Sequence, residues 1–293
     1  MNIALCTDEN YSFPCGVCIT SILENNKDEE LNIYILTNGL KPRTIRKLEQ
    51  LEAKYKQKIK IKSISDNLFN GLKVNNRFPK SIYYRLLLPQ LLNDKKVIYL
   101  DCDIVVTASL KDLWNTDLTN CACGVIEDQR SDDITIQNRT GLYRDYFNSG
   151  VLVMNLEYWR EHRTTHKLTD YIDKNSHKSI YPDQDALNAV IGDEVTFLEY
   201  TYNYQQLFFQ PKEEILLHKS KWQKLELDGK LPTIIHYTHD IKPWHRLCGH
   251  PLRDQFLKYK ALSPWKREWA KSRFSIVQKV KLILQNSLYL LRT

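Results

Sequence analysis

Residues 97–106, Val-Ile-Tyr-Leu-Asp-Cys-Asp-Ile-Val-Val, decide how this chain is read, because a run this apolar carries two carboxylates one residue apart. Its β-branched and aromatic residues predict a strand buried on both faces, the habit of parallel sheets covered by helices. Side chains at i and i+2 share one face of a strand, so Asp101 and Asp103 are expected side by side. Left bare, they would repel each other. A divalent cation bridging them to a polyanionic ligand removes both the repulsion and the cost of burying charge. The strand is therefore expected to end at a metal site. In the plainer alternative the chain leaves the sheet at Asp101 and both acids face water, and these ten residues alone leave it open.

Outward from this run the chain alternates. Strand-like segments at 2–7, 31–37 and 58–64 are separated by helical patterns near 13–25 and 42–56, and a helix is expected over 81–92. That order implies an α/β fold with a largely parallel sheet. Ligands of such sheets sit beyond the C-terminal strand ends, where Asp8 and Asp101 fall. From about residue 120 the strand-like runs CACGVIED and YFNSGVLVMNL lie too close for helical crossovers, so the second half is expected to be antiparallel or mixed. A long helix over 157–174 follows, then YPDQDALNAVIG, VTFLEY and TIIHYT. Both glycine-rich phosphate cradles are missing, so bound phosphates would need a cation with lysine or arginine.

The 293 residues carry a net charge of +7. Residues 265–293 hold Lys266, Arg267, Lys271, Arg273, Lys279, Lys281 and Arg292 against Glu268 alone, a net +6. The remainder is nearly neutral, a poor match to a nucleic-acid-binding face. Seven cysteines, mostly in apolar runs, read as reduced thiols. Cys15 and Cys18 have the spacing of a metal or redox pair, but they fall within the first helix and have no matching second pair, so packing is their expected role. The chain opens on a strand without a basic leader, and a cytoplasmic location is expected.

Four further segments place polar residues where a strand or helix meets a turn. Asp8 and Asn10 in TDENY could cap a helix, Asn148 could be a turn residue, Asp183 and Asp185 could cap the helix after YPDQD, and His236 could be a hydrogen-bonded core histidine. Taken together, TDENY, YYRLLLP, YLDCDIVV, FNSGVLVMN, DQDALN and HYTHDIKPWH, in this order and spacing, resemble the family 8 retaining glycosyltransferases, the group containing glycogenin and bacterial lipooligosaccharide galactosyltransferases. The motifs span about residues 1–250, and the resemblance to the bacterial enzymes reaches nearly the whole length.

The resemblance implies a single nucleotide-sugar-binding, Rossmann-like domain of GT-A type over 1–262 with a mixed sheet, followed by a C-terminal helical tail over 263–293. It also implies a UDP-hexose donor, a saccharide or glycolipid acceptor such as a lipopolysaccharide precursor, and Mn²⁺, with Mg²⁺ as the other candidate. Asp101, Asp103 and His236 then match the metal ligands. Lys242 would neutralise the diphosphate. Cys6, Asp8 and Asn10 match the uridine and ribose pocket, and Arg85, Asn148 and Asp183 match groups on the sugar hydroxyls. Gln184 falls beneath the anomeric carbon, where an amide is a poor nucleophile. Front-face substitution with retention is therefore expected, with the Gln184 carbonyl oxygen stabilising positive charge. Asp128 would lie on the acceptor side, with Glu127 as its rival.

The chain departs from the pattern at His239, where the related enzymes commonly have glycine, and at Arg77 and Phe78 near the uracil. Three other readings stand beside the resemblance: a metal-dependent phosphohydrolase, a non-catalytic nucleotide-sugar binder and a glycogenin-like self-glucosylating primer. In the tail, Val277, Val280, Leu284, Leu288 and Leu291 fall at helical spacing with Phe274 near their start. The uncharged run 282–291 is too short for a bilayer, which needs about 20 residues. A basic amphipathic helix on the anionic inner face of the membrane is expected instead, with packing on protein as the alternative.

Overall fold

The computed structural model describes residues 1–65, 67, 79–175, 177, 179–211 and 214–270. Arg77, Phe78 and the amphipathic part of the tail from 271 lie outside the described residues.

The first half runs β1 (Asn2–Cys6), α1 (Ser12–Asn25), β2 (Asn32–Thr37), α2 (Pro42–Tyr55), β3 (Lys58–Ser63), α3 (Leu88–Leu91), β4 (Lys96–Leu100), β5 (Ile104–Val106) and α4 (Lys111–Trp114). The second half runs β6 (Cys123–Glu127), α5 (Ile134–Thr140), β7 (Phe147–Asn155), α6 (Leu156–Glu161), α7 (Thr164–Asn175), α8 (Pro182–Ile191), β8 (Val195–Phe197), β9 (Tyr204–Gln205), β10 (Ile234–His236) and α9 (Arg253–Leu262). Seven strands form one sheet in the order β3-β2-β1-β4-β7-β6-β8, and β5, β10 and β9 form a second. In the large sheet β7 alone runs against its neighbours, β4 and β6. The sheet is mixed, as the sequence implied.

Strand alternation divides the core. Ile3, Leu5, Ile33, Ile35, Ile98, Leu100, Val151 and Val153 face α1, α9 and the small sheet. Their neighbours Ala4, Tyr34, Leu36, Val97, Tyr99, Leu152 and Met154 face the other way, onto α6, α7 and α8. With both faces covered, these strands read as continuous apolar runs. Helix α2 shows the opposite habit: only Thr44, Leu48 and Leu51 are buried, at the i, i+4, i+7 spacing of a one-sided surface helix.

Three expectations are corrected. Residues 97–106 are two strands in two sheets: β4 ends at Leu100, Cys102 and Asp103 form a turn, and β5 pairs antiparallel with β10. The Asp101 N–H still bonds Gly150 O at 2.8 Å, whereas the Asp103 carbonyl already accepts from Tyr237 N at 3.0 Å, on the β10 side. Residues 80–87 are a 3₁₀ helix with only four α-helical residues after it. Pro89 cannot donate the i−4 bond to Arg85 O, and the Leu88 N–H takes that carbonyl in a 3₁₀ bond. The helix over 157–174 breaks into α6 and α7, with Arg163 left-handed at φ 52°. The break lets Thr165 turn inward, where its hydroxyl donates to Leu86 O at 2.8 Å.

Residues 263–270, assigned to the tail on sequence grounds, pack on the body. Trp265 is 1% exposed, and its ring lies within 2.5 Å of where a Gly16 Cβ would be, so α1 needs glycine there.

Candidate active site

The C-terminal ends of β1, β4 and β6 and the N-terminal end of the reversed β7 meet at one edge of the large sheet, and the first turn of α8 closes on them. There a cavity of about 350 Å³ opens, lined among others by Cys6, Asp8, Arg85, Asp101, Asp103, Asp128, Asn148, Asp183, Gln184 and His236.

Asp101 follows the last residue of β4. Its Oδ1 accepts from Tyr99 OH at 2.6 Å and from Arg85 Nη2 at 3.0 Å, while the Arg85 guanidinium stacks 4.3 Å from the Tyr99 ring. Arg85 Nη2 also reaches Asp183 Oδ2 at 3.4 Å. Burial opposes the charged guanidinium, but its neighbours together, Asp101 foremost and then Tyr99, Asp183 and Cys6, outweigh it and raise the Arg85 pKa. Asp103 sits in the turn, with Oδ1 3.2 Å from His236 Nε2 and Oδ2 2.8 Å from Lys242 Nζ. Burial would raise its pKa, yet the Lys242 ammonium holds its carboxyl well below the usual carboxylate range. Each acid thus has one oxygen beside a cation and another toward the space they share with His236.

Ligand atoms of Asp101, Asp103 and His236 all lie within 4.8 Å of one another. A Cβ at Gly150 would fall into their midst, 2.3 Å from His236 Cε1 and 2.8 Å from Asp101 Oδ2, so the missing side chain keeps this space open. Two carboxylate oxygens and one imidazole nitrogen suit an octahedral Mn²⁺ or Mg²⁺ with positions left for phosphate oxygens. The residues fit a divalent cation. A second trio, Glu127, Asp132 and Asp145, is instead closed by Lys221, whose Nζ lies 3.0 Å from Asp132 and 2.8 Å from Asp145 and also pairs with Glu127.

The opposite wall is a network of amides. Asn148 Nδ2 donates to Asp128 Oδ2 at 3.0 Å and to Gln184 Oε1 at 3.2 Å, and Gln184 Nε2 donates to the same Asp128 oxygen at 3.1 Å. Ser149 N donates to Gln184 Oε1 at 3.0 Å, and Ser149 Oγ donates to Asp183 Oδ2 at 3.0 Å. The Gln184 carbonyl oxygen, expected to be available to the sugar, is therefore already held by two protein donors. Burial pushes both Asp128 and Asp183 up in pKa, against donors from Asn148 and against the Arg85 charge respectively. Between the rivals at the end of β6, Asp128 enters the cavity and Glu127 turns away to Tyr200 OH and Lys221.

Other candidate residues are less central. Asp8 does cap a turn, accepting from Tyr11 N at 2.9 Å, and still lines the cavity. Asn10 is exposed, and its amide points back to Asp8 Oδ2 at 3.4 Å, so the structure does not bring it into the cavity wall. Asp183 and Asp185 occupy the first turn of α8; Asp185 Oδ2 accepts from the backbone N of the N-cap residue Tyr181 at 3.3 Å, and its Oδ1 lies 3.1 Å from Arg139. His239 is exposed, and its Nδ1 accepts from Ile241 N at 3.2 Å. Sequence reasoning passed over Tyr99, Ser149, Gly150 and Asn203. Tyr99 carried a usable signal, since it is two residues before Asp101 on the same strand.

The chain is similar to known glycosyltransferases. The chain is 32% identical over 275 residues to a lipopolysaccharide 1,2-glucosyltransferase of Escherichia coli, covering 90% of this chain and 79% of that protein. It is 28% identical over 273 residues to general stress protein A of Bacillus subtilis, covering 90% and 94%. The crystal structure of the galactosyltransferase LgtC with donor and acceptor sugar analogs superposes with a TM-score of 0.81 at 24% identity, over 90% of this chain and 96% of that one, a shared GT-A fold. The model of glycosyl transferase family 8 matches residues 2–248, and the chain belongs to that family.

Proposed function

We propose that this family 8 glycosyltransferase moves glucose or galactose from its UDP derivative to a saccharide acceptor with retention of configuration, in a reaction that depends on Mn²⁺ or Mg²⁺. The carrying observation is the convergence of Asp101, Asp103 and His236 on one side of a cavity whose other side bears Asp128, Asn148 and Gln184. Relatives named for a lipopolysaccharide glucosyltransferase and for a galactosyltransferase support the two hexoses and a lipopolysaccharide or other surface-glycan precursor as acceptor.

When bound, the cation supplies Lewis acidity that stabilises the departing UDP. Arg85 and Lys242 orient Asp101 and Asp103 for it. Cys6 and Asp8 line the nucleoside end, and Arg85, Asn148 and Asp183 hold sugar hydroxyls. The acceptor hydroxyl, on the Asp128 side, attacks from the face that UDP leaves, and the departing phosphate oxygen takes its proton. Gln184, being an amide, forms no glycosyl ester. With Asn148 it donates to Asp128 Oδ2 and so fixes the acid that faces the oxocarbenium-like charge. Titration calorimetry of UDP with Mn²⁺ and with chelator tests this reading: binding should be at least about tenfold tighter with the metal, about 1.4 kcal/mol, and equal affinities would refute it.

For the chain as a whole we propose that 1–262 with the packed segment through Ala270 is the catalytic unit and that the remaining basic segment, 271–293, carries it to an anionic membrane surface. Among the described residues no helix is long and apolar enough to cross a membrane. The full chain should pellet with anionic liposomes at low salt and be released by high salt. A chain ending at Ala270, after the packed Trp265, should not pellet; equal partitioning of the two would defeat the idea.

A further inference from the structure

His236 is wedged between two groups that the sequence did not mark. One is Gly150, already described. The other is Asn203, fully buried at the end of a 3₁₀ turn (Tyr200–Asn203). The Asn203 amide bridges two residues of the site: its Nδ2 lies 3.0 Å from Asn148 Oδ1, and its Oδ1 lies 2.8 Å from His236 Nδ1.

The direction of every hydrogen bond in this chain follows from a backbone group that can only donate. Gly150 N–H points at the Asn148 side chain at 2.9 Å, so the atom facing it is the amide oxygen. That oxygen is also the one Asn203 approaches, so Asn203 turns its NH₂ toward Asn148 and its own oxygen toward His236. An amide oxygen accepts and never donates. His236 must therefore carry its hydrogen on Nδ1, which leaves the lone pair of the neutral ring on Nε2. Nε2 is the atom that lies 3.2 Å from Asp103 Oδ1 and completes the cluster with Asp101.

We propose that Asn203 is a positioning residue that locks His236 in the Nδ1–H tautomer and thereby presents the Nε2 lone pair to a cation between Asp101 and Asp103. The proposal rests on the cation-dependent reading above. A ligating histidine needs a partner on its other nitrogen to fix tautomer and ring orientation, and loss of such a partner typically weakens metal binding. Here the partner is neutral, and it belongs to the same amide chain that runs through Asn148 to Asp128 and Gln184. The ring that faces the metal and the groups that face the sugar are thus oriented by one network.

Two measurements on the full chain test this. Long-range ¹H–¹⁵N NMR of the metal-free, histidine-labelled protein, at a pH where the ring is neutral and with His236 assigned from His236→Gln, should show Nδ1 protonated. An Nε2–H tautomer would overturn the proposal without any variant of Asn203. Electron paramagnetic resonance of free Mn²⁺ in the presence of UDP should show Asn203→Leu, which keeps volume but neither donor nor acceptor, binding the metal about 10- to 100-fold more weakly than the parent. Asn203→Asp keeps an acceptor for Nδ1–H and should lie closer to the parent than Asn203→Leu does. A folded Asn203→Leu with parental Mn²⁺ affinity would overturn the assignment. A parent chain whose UDP binding ignores Mn²⁺ would instead sink the cation-dependent reading, and the NMR result would still decide the tautomer.

Discussion

Replacing Gly150 with alanine puts a methyl group where the structure has no room for one. The new carbon would sit 2.3 Å from His236 Cε1, 2.8 Å from Asp101 Oδ2 and 3.0 Å from Asn148 Oδ1. Ordinary carbon contacts begin at about 3.5 Å, so the ring must move by roughly 1.2 Å. It cannot do so freely, because Asn203 holds Nδ1 at 2.8 Å on its other edge. Metal–ligand distances tolerate only about ±0.2 Å, so a shift of this size removes His236 from the coordination sphere. The strain itself should cost about 1–3 kcal/mol, as other small-to-large core changes do. At about 2–4 °C per kcal/mol that lowers the melting temperature by roughly 2–12 °C. Calorimetry should show UDP affinity in Mn²⁺ at least about tenfold weaker than the parent, with metal-free UDP affinity unchanged. A folded Gly150→Ala protein with parental, metal-dependent UDP affinity would refute the placement of the cation between these three residues.

Gln184→Ala should lower kcat on the order of 10²-fold while changing donor binding far less, because it removes a donor that fixes Asp128 toward the charge of the transition state. Product NMR should show an α-linkage from the α-configured donor, and a β-linked product would exclude retention. Trp265→Ala empties the contact with Gly16 and should destabilise the protein by about 3–5 kcal/mol, seen as a lower melting temperature with unchanged UDP affinity at low temperature. A melting temperature within about 2 °C of the parent would show that 263–270 does not dock in solution.

The strand and helix order of the first half was legible because each element obeys one period. β1 and β2 are covered on both faces, so their runs are unbroken, and α2 is covered on one, so its Leu48 and Leu51 stand out among charges. The break inside 97–106 was illegible for a physical reason. Residues 97–100 of β4 and all of β5 are buried, one strand in each sheet, and an apolar run looks the same whichever sheet receives it. Only the two aspartates hinted at a turn, and they served equally well as neighbours on one strand. The other two differences arose at backbone details: the missing N–H of Pro89, and a left-handed Arg163 in a pattern that otherwise suits one long helix.

Apart from Cys6, Asn148 and Gln184, which the family resemblance supplied, the site was legible only as far as it is charged. Asp101, Asp103, Asp128 and Asp183 attract notice because burying an acid is costly, so an acid in an apolar segment signals compensation. Asn203, Ser149 and the backbone N–H of Gly150 give no such signal, since a buried amide needs only hydrogen-bond partners, and many sequences provide them. Yet the structure relies on these neutral groups for orientation. Four acids already crowd the floor, with Arg85 and Lys242 beside three of them. Had His236 been oriented by a further carboxylate, that charge would lie against Asn148 and near Asp128, in a space with no additional cation among the described contacts. An asparagine supplies the same acceptor to Nδ1 without adding charge, and its second function, the NH₂, ties the ring to the wall that faces the sugar. The choice of amides over acids in this wall is thus a consequence of how much negative charge the floor already holds.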